Sequence, residues 1–282
     1  MIEYKDEPLS SYTTFRIGGR ARFLLQPENE EELIGLIADY RSKKTAYRVI
    51  GNGSNLLISD RGIPEPVINN QAACLRLEIV DGVVYAGSSV KLQSFIRFCV
   101  RNGVAAYEYL FSVPATIGGA IFMNAGRGKS MNQQISDYLV GVRVFDGKKV
   151  YEVSKNECDF GYRKSIFHSR RDLMILGAYF KPPAQLTQIG EQNIKERMRY
   201  VKETQDFNHR TAGSVFKSAR HGIFYWVKGV KIGDAQYSDK TTNWINNNGS
   251  ATADDVRWLI RIVFALNLLT FKVAQQEIEY WG

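Results

Sequence analysis

Two glycine-bearing segments carry the residue types that bind phosphate through the main chain. One reads Gly51-Asn52-Gly53-Ser54-Asn55, and the other reads Pro114-Ala115-Thr116-Ile117-Gly118-Gly119-Ala120. Glycine adopts backbone angles that let consecutive N–H groups converge on an anion. Each segment is therefore a candidate phosphate loop, although the same composition also suits an ordinary turn.

Neither segment fits the common nucleotide-binding motifs. A dinucleotide fingerprint runs from G-x-G-x-x-G into a helix, whereas residues 55–58 predict a strand. Gly128-Lys129-Ser130 resembles the end of a P-loop, but Met123 occupies the position of that motif's first glycine. These departures argue against a Rossmann site and against an NTPase.

Three positions, Arg163, Ser214 and Glu277, carry side chains suited to proton transfer or charge stabilisation. Arg163 lies in Gly161-Tyr162-Arg163-Lys164-Ser165, and Ser214 lies in Ala212-Gly213-Ser214-Val215-Phe216-Lys217. Residue type alone does not separate catalytic roles from those of a surface cation, a turn hydroxyl and a solvated carboxylate.

Composition describes an ordinary globular protein with an excess of positive charge. The chain has 282 residues, 44% of them hydrophobic, and a net charge of +8. That charge suits nucleic acid, a phosphorylated cofactor or a nucleotide sugar equally. The N-terminal segment lacks the apolar stretch of a signal peptide, and the most apolar run, residues 258–271, is too short to span a bilayer. We therefore expect a cytoplasmic protein without a membrane segment.

The cysteines and histidines give no sign of a metal site. Cys74, Cys99 and Cys158 are odd in number, lie far apart and form no C-x-x-C pair. The three histidines also lack ligand spacing. We expect buried structural thiols, no disulfide framework and no bound metal.

Apolar periodicity predicts the helices that must position these residues. Helices are expected at residues 30–44 and 92–100, and a further one begins at Thr252 with Asp255 as its capping partner. Residues 48–50 and 56–58 predict strands on either side of the first glycine loop.

Turn signals complete the predicted organisation. The dipeptides Asp81-Gly82 and Asp146-Gly147 predict hairpins, and Pro182-Pro183 predicts a domain boundary. Because strands and helices do not alternate regularly, the expected fold class is α+β.

Six segments match one family in order and spacing over nearly the whole chain. They are residues 11–19, 51–57, 117–126, 160–167, 212–217 and 248–256. In these segments the chain resembles the UDP-N-acetylenolpyruvoylglucosamine reductase (MurB) family. The short connection at residues 182–211 resembles the subclass that lacks a long substrate-capping insertion.

The resemblance implies a division into two domains. A vanillyl-alcohol-oxidase-like (PCMH-type) FAD-binding domain would occupy residues 1–183, with subdomains at about residues 1–70 and 71–183. A MurB-like α+β substrate domain would occupy residues 184–282.

The implied reaction uses FAD as the bound cofactor and NADPH as the reductant. NADPH reduces FAD, and the flavin then delivers hydride to the terminal carbon of the enolpyruvyl ether of UDP-N-acetylglucosamine. The adjacent carbon receives a proton, and UDP-N-acetylmuramate enters peptidoglycan precursor synthesis. The implied partner is this small nucleotide sugar, with no nucleic acid and no membrane, and we expect a monomer.

The resemblance also assigns roles to residues. Ser214 matches the general acid, and Arg163 and Glu277 match groups that polarise the substrate carboxylate and stabilise the enolate-like intermediate. Glu279 is the alternative to Glu277, because a one-residue deletion follows Phe271. The residues implied for FAD are Gly51, Asn52, Gly53, Ser54, Asn55, Leu56, Pro114, Thr116, Gly118, Gly119, Asn124 and Ala125. Those implied for the substrate are Tyr162, Lys217, Gln236 and Asn243.

The chain departs from the family pattern mainly where the nucleotide sugar would be bound. Ser218 replaces a usual asparagine, Asp234 a usual glycine and Thr241 a common histidine, and the segment after Val230 is shortened. The alternative function is therefore a MurB-like flavin reductase that acts on a related enol ether or nucleotide sugar in another pathway.

A non-catalytic protein that binds flavin or nucleic acid is the competing class. The sequence lacks the aromatic and basic interleaving of a single-strand binder, which disfavours nucleic acid. Arg127 and Lys129 also depart from the family pattern, and the sequence gives no physical reason for them.

Overall fold

Helices and strands are both abundant in the computed structural model, which describes residues 1–104, 107–206 and 208–282. This agrees with the predicted α+β class. The contacts of the chain define two units. The first comprises Met1–Glu3, Leu25–Asn52 and Ile68–Arg199, and the second comprises Tyr4–Leu24, Gly53–Val67 and Tyr200–Gly282. Each unit is thus assembled from separate stretches of chain.

The regular elements are numbered in chain order. The α-helices of the described residues are α1 (Glu30–Ser42), α2 (Leu92–Arg101), α3 (Ile117–Phe122), α4 (Thr187–Thr204), α5 (His221–Trp226) and α6 (Ala253–Leu268). The strands of the described residues are β1 (Ile2–Pro8), β2 (Arg20–Gln26), β3 (Arg48–Ile50), β4 (Leu56–Ile58), β5 (Val67–Asn69), β6 (Leu77–Val80), β7 (Val83–Gly87), β8 (Leu139–Phe145), β9 (Val150–Ser154), β10 (Met174–Phe180), β11 (Phe216–Ser218), β12 (Lys231–Ile232), β13 (Ala235–Tyr237), β14 (Ile245–Asn247), β15 (Gln275–Gln276) and β16 (Glu279–Trp281).

An antiparallel five-stranded sheet organises the first unit. Its strand order is β6-β7-β10-β8-β9, so the apolar strand β10 lies at its centre. Gly177 of β10 pairs with Gly87 of β7, and Ala178 pairs with Val142 of β8. A continuous apolar run is what a strand buried on both faces requires.

Helix α2 buries one face in the core of the first unit. Its buried positions are Leu92, Phe95, Ile96, Cys99 and Val100, which recur at helical spacing. The helix extends one residue beyond the predicted end, and the prediction of a helix here is confirmed.

The start of helix α1 follows from local sequence. Asn29 caps the helix by accepting a hydrogen bond from the Glu32 N–H at 2.9 Å. Leu33 and Ile37 are the buried positions of its inner face. Glu30 forms an ion pair with Arg143 of β8 at 2.7 Å. The predicted helix is confirmed, and it ends at Ser42.

The predicted hairpins are present. Asp81 and Gly82 both have positive φ and connect β6 to β7, with Val80 paired to Val83. Positive φ at both central positions is the geometry of a type I′ turn. Asp146 and Gly147 lie in the connection between β8 and β9.

The four-stranded sheet has the order β1-β2-β5-β3. Strands β1, β2 and β5 each continue from one unit into the other along the chain. The predicted strands β3 and β4 are present on either side of the first glycine loop.

Helix α6 organises the core of the second unit. Thr252 and Asp255 form the predicted capping box at its first turn. The carboxylate of Asp60 also accepts a hydrogen bond from the Ala253 N–H at 2.8 Å. A negative charge near a helix N-terminus stabilises the helix. The helix packs on β12 and β13, and Val256, Leu259 and other buried residues line its inner face. Among the described residues, no helix is both long and apolar enough to cross a membrane.

The cysteines are buried, as predicted. Cys74, Cys99 and Cys158 are free thiols. Removal from water disfavours the thiolate and raises the pKa of each thiol to about 12. At pH 8 all of them are therefore protonated, and a protonated thiol is a poor nucleophile.

We predict that the native protein does not react with a thiol-specific disulfide reagent at pH 8. The same protein unfolded in urea should react at every cysteine, because unfolding returns each pKa to its ordinary value. Absorbance of the released chromophore measures both reactions. Rapid stoichiometric reaction of the native protein would contradict the burial and the raised pKa values.

Candidate active site

The first glycine loop, residues 51–55, begins against the second loop. A Cβ on Gly51 would lie 2.7 Å from the Thr116 Oγ1, which is closer than side-chain carbons approach. The Asn52 Nδ2 donates a hydrogen bond to the Pro114 carbonyl at 2.6 Å. Residues that the sequence predicts in two separate segments are therefore adjacent in the first unit.

Gly53 is required by both its backbone angle and its surroundings. Its φ is +58°, and a Cβ there would overlap the carbonyl oxygen of Tyr12. Side chains other than glycine are strained at such angles. The loop can therefore approach the main chain at Tyr12 only with glycine at this position.

The main-chain donors of this loop are available for a ligand. Within the described part of the chain, no hydrogen bond uses the N–H groups of Gly51, Asn52, Gly53 or Ser54. Unused N–H groups in a glycine-bearing turn are the features of an anion nest. This observation fits a pyrophosphate-containing cofactor.

The second loop uses its donors within the protein. The Ile117 N–H donates to the Val90 carbonyl at 2.8 Å, and the Gly118 N–H donates to the Ser88 carbonyl at 2.9 Å. Thr116 accepts the Gly119 N–H at 3.3 Å. This loop therefore offers close approach rather than free N–H groups.

Asn124 has the properties of a ligand-binding side chain. It is fully buried, and its φ is +45°. Its Nδ2 donates to the Gln134 Oε1 at 2.5 Å and to the Gly161 carbonyl at 2.9 Å. Its Oδ1 has no hydrogen-bond donor among the described residues. Because a buried acceptor without a donor costs about 1–3 kcal/mol, this atom fits the N–H of a bound cofactor.

A tight turn presents Arg163. Gly161 and Lys164 exchange main-chain hydrogen bonds across the turn, and Arg163 has a φ of +52°. Its Nη2 donates to the Gly126 carbonyl at 2.7 Å, and its guanidinium lies 5.1 Å from the centre of the Tyr162 ring. A non-glycine residue at positive φ is uncommon and is found at functional sites.

The structure brings Ser214 and Glu277 onto neighbouring chain segments. Ser214 pairs with Trp244 on one side. On the other side the Glu277 N–H donates to the Val215 carbonyl at 2.8 Å, so Glu277 lies opposite the residue next to Ser214. Glu279, the alternative acid, pairs instead with Leu56 in the parallel β4–β16 ladder.

The candidate catalytic residues belong to both units. Arg163 lies in the first unit, and Ser214 and Glu277 lie in the second. The roles of all three remain predictions.

Two of the predicted substrate residues already make several hydrogen bonds within the protein. The Gln236 Nε2 donates to the Gly229 carbonyl at 3.3 Å and to the Asp239 carboxylate at 3.2 Å, and its Oε1 accepts from Asn248 at 2.8 Å. Asn243 uses both ends of its amide on the main chain of Phe216.

The other two predicted substrate residues are placed as follows. Lys217 lies half-buried in β11, and Tyr162 lies beside Arg163. The substrate roles of all four remain predictions.

The departures at Thr241 and Asp234 have local structural roles. The Thr241 Oγ1 accepts the Asp206 N–H at 2.7 Å. Burial opposes ionisation of Asp206, but hydrogen bonds from Asn246, His209 and Ser238 outweigh it and lower the pKa of this carboxyl. Asp234 accepts the Ser250 N–H at 3.0 Å.

The sequence does not mark two glutamines that hold residues of the candidate site. The Gln71 Nε2 donates to the Gly51 carbonyl at 2.8 Å, and Gln134 holds the amide of Asn124. These contacts join residues that are 20 and 10 positions apart, and no motif marks either glutamine.

Family models match both parts of the chain. Residues 21–149 match the FAD binding domain, and residues 205–274 match the C-terminal domain of UDP-N-acetylenolpyruvoylglucosamine reductase. Together with the loop geometry, these matches define a flavin-binding oxidoreductase.

Relatives extend the match to nearly the whole chain. UDP-N-acetylenolpyruvoylglucosamine reductase 1 of Bacillus cereus is 34% identical over 271 residues, which cover 92% of this chain and 87% of the relative. The reductase of Pseudothermotoga lettingae is 32% identical, covering 92% and 90%. The crystal structure of MurB from Thermus caldophilus aligns with a TM-score of 0.80 at 30% identity, covering 100% of this chain and 98% of that one. The chain belongs to the UDP-N-acetylenolpyruvoylglucosamine reductase (MurB) family.

We predict that Gly53→Ala destabilises the protein more than Gly82→Ala. Both glycines have positive φ, but a Cβ on Gly82 would meet nothing within 4 Å. Alanine at either position costs about 1–2 kcal/mol for the backbone angle. Overlap with Tyr12 should add about 1–3 kcal/mol at Gly53 alone. Urea unfolding measures both losses, and equal losses would contradict the close approach.

Proposed function

We propose that this chain is an FAD-dependent reductase that uses NADPH to reduce the enolpyruvyl ether of UDP-N-acetylglucosamine to UDP-N-acetylmuramate. The observation that carries the proposal is the placement of Glu277 opposite Val215, directly beside Ser214. It occurs in a chain whose relatives are named for this reductase. The product would enter peptidoglycan precursor synthesis.

When bound, FAD would supply the hydride chemistry that links NADPH to the terminal carbon of the enolpyruvyl group. The N–H groups of residues 51–54 would hold the pyrophosphate, and the Asn124 Oδ1 would accept a flavin N–H. The other residues proposed to contact the cofactor are Asn55, Leu56, Pro114, Thr116, Gly118, Gly119 and Ala125.

Ser214 would donate the proton that balances the hydride. Its hydroxyl gives a proton to the carbon next to the terminal one, and it regains that proton from solvent. A hydroxyl is a weak acid, so neighbouring groups must stabilise the alkoxide or relay a proton through water. The proposed group is Glu277, which is half-buried and whose N–H donates to the carbonyl of Val215, the residue next to Ser214.

Arg163 would stabilise negative charge on the substrate. Its guanidinium is held by the Gly126 carbonyl and by the ring of Tyr162, so it is ordered before substrate binds. A preorganised cation is worth most where water is excluded. The substrate carboxylate is its proposed partner, and Glu277 acts with it on the enolate-like intermediate.

A related enol ether or nucleotide sugar is the alternative substrate. The observation in its favour is that the amides of Gln236 and Asn243 are hydrogen-bonded within the protein. Parallel assays with UDP-N-acetylglucosamine enolpyruvate and with other enol ethers separate the two.

We further propose the setting in which this enzyme works. It would act as a cytoplasmic monomer, which light scattering after gel filtration tests. Its flavin domain would occupy residues 1–183 and its substrate domain residues 184–282.

We predict that Ser214→Ala separates the two halves of the reaction. NADPH should still reduce the bound flavin at the wild-type rate, because Ser214 takes no part in that step. Reoxidation by UDP-N-acetylglucosamine enolpyruvate should slow by about 10²–10⁴-fold, the usual contribution of a general acid. Rapid-mixing absorbance of the flavin measures both rates.

Ser130→Ala is the matched control, because Ser130 is exposed in the short 3-10 helix Lys129–Met131 and has no proposed role. It should leave both rates unchanged. Wild-type reoxidation in Ser214→Ala would rule out Ser214 as the acid, and a protein that neither carries nor takes up FAD would rule out the function.

A further inference from the structure

The side chain of Asn243 forms a clamp on the strand that follows Ser214. Its Oδ1 accepts the Phe216 N–H at 2.9 Å, and its Nδ2 donates to the Phe216 carbonyl at 2.7 Å. Its own carbonyl accepts the Val215 N–H at 2.9 Å. One residue therefore replaces the main-chain partner that a neighbouring strand would provide.

The backbone of Asn243 is suited to this clamp. Its φ is +66°, a left-handed conformation that asparagine tolerates better than most residues other than glycine. The next residue, Trp244, pairs with Ser214. The turn thus places the Asn243 amide beside Phe216, two residues along the chain from the proposed acid.

The opposite edge of the same strand is also bonded. The Val215 carbonyl accepts the Glu277 N–H at 2.8 Å, and Phe216 pairs with Gln276 in the β11–β15 ladder. The segment from Ser214 to Phe216 is therefore held between the Asn243 turn and the segment that carries Glu277. Loss of one edge would let Ser214 shift relative to Glu277.

The hydrogen bonds of Asn243 favour the role of a clamp over the role of a substrate ligand. Both ends of its amide are already used on the Phe216 main chain, and these bonds would have to be shared or broken for the amide to bind a sugar. A buried main-chain N–H without an acceptor is costly. The side chain is therefore better explained by the strand than by a ligand.

We propose that Asn243 is a positioning residue that fixes Ser214 for proton delivery, and that it is not a substrate ligand. The proposal rests on the function proposed above for Ser214. On this proposal, Asn243 affects the rate of flavin reoxidation once substrate is bound, and it does not affect substrate affinity.

Asn243→Gly tests the clamp, because glycine tolerates the positive φ and lacks the side chain that carries the amide. Asn132→Gly is the matched control, since Asn132 is exposed and has a φ of +44°. We predict that amide hydrogen exchange at Phe216 becomes faster in Asn243→Gly alone, by ~10-fold or more, as expected when a native hydrogen bond opens locally.

Kinetics of the same variants test the positioning role. We predict that Asn243→Gly lowers the rate of flavin reoxidation at saturating substrate by about 10–100-fold, because small misplacements of a reacting group are costly. The KM and the rate of reduction by NADPH should stay within about twofold, since neither depends on the position of Ser214. Asn132→Gly should match the wild type throughout.

Each outcome decides the proposal. A raised KM with an unchanged maximal rate would identify Asn243 as a substrate ligand and overturn it, and unchanged exchange at Phe216 would also overturn it. If the wild type does not turn over UDP-N-acetylglucosamine enolpyruvate, the proposed function fails, and the exchange measurement still decides whether Asn243 holds the strand.

Discussion

Hydrogen bonds on both edges of the segment from Ser214 to Phe216 determine where the candidate acid of the second unit lies. Glu277 bonds to one edge and Asn243 to the other. The segment also contributes Val215 and Phe216 to the apolar core beneath helix α6. Packing and hydrogen bonding therefore fix the same short stretch, which leaves little freedom at the hydroxyl of Ser214, the candidate acid.

The proposed flavin contacts of the first unit depend on a different constraint, which is that certain loop positions must be glycine. Gly51 and Gly118 lie too close to Thr116 and Ser88 to accept a larger residue without displacement of a neighbour. Among the described residues, the N–H groups of residues 51 and 52 are not used in hydrogen bonds, and the buried Oδ1 of Asn124 has no donor. A buried oxygen without a donor is costly, and a cofactor that supplies a donor would remove that cost.

The sequence predicts the local features well. The caps of α1 and α6, the hairpin at Asp81-Gly82 and the strands beside the first glycine loop all depend on residues a few positions apart. The contacts of Asn243, Gln71 and Asp60 do not depend on such close neighbours. Asp60, for example, accepts a hydrogen bond from the first turn of a helix 193 positions away. Tertiary hydrogen bonds of this kind leave no periodic signal. The resemblance to a family therefore predicts Ser214 as the acid, whereas the residues that hold it are seen only in the structure.

The activity proposed for this chain is the transfer of reducing equivalents from NADPH to an enolpyruvyl nucleotide sugar. The most direct measurement mixes the NADPH-reduced protein anaerobically with UDP-N-acetylglucosamine enolpyruvate and follows the flavin absorption and the product mass. We predict that the oxidised flavin spectrum returns as one UDP-N-acetylmuramate forms for each flavin. A flavin that stays reduced, with the enolpyruvyl compound recovered unchanged, would contradict the proposed activity.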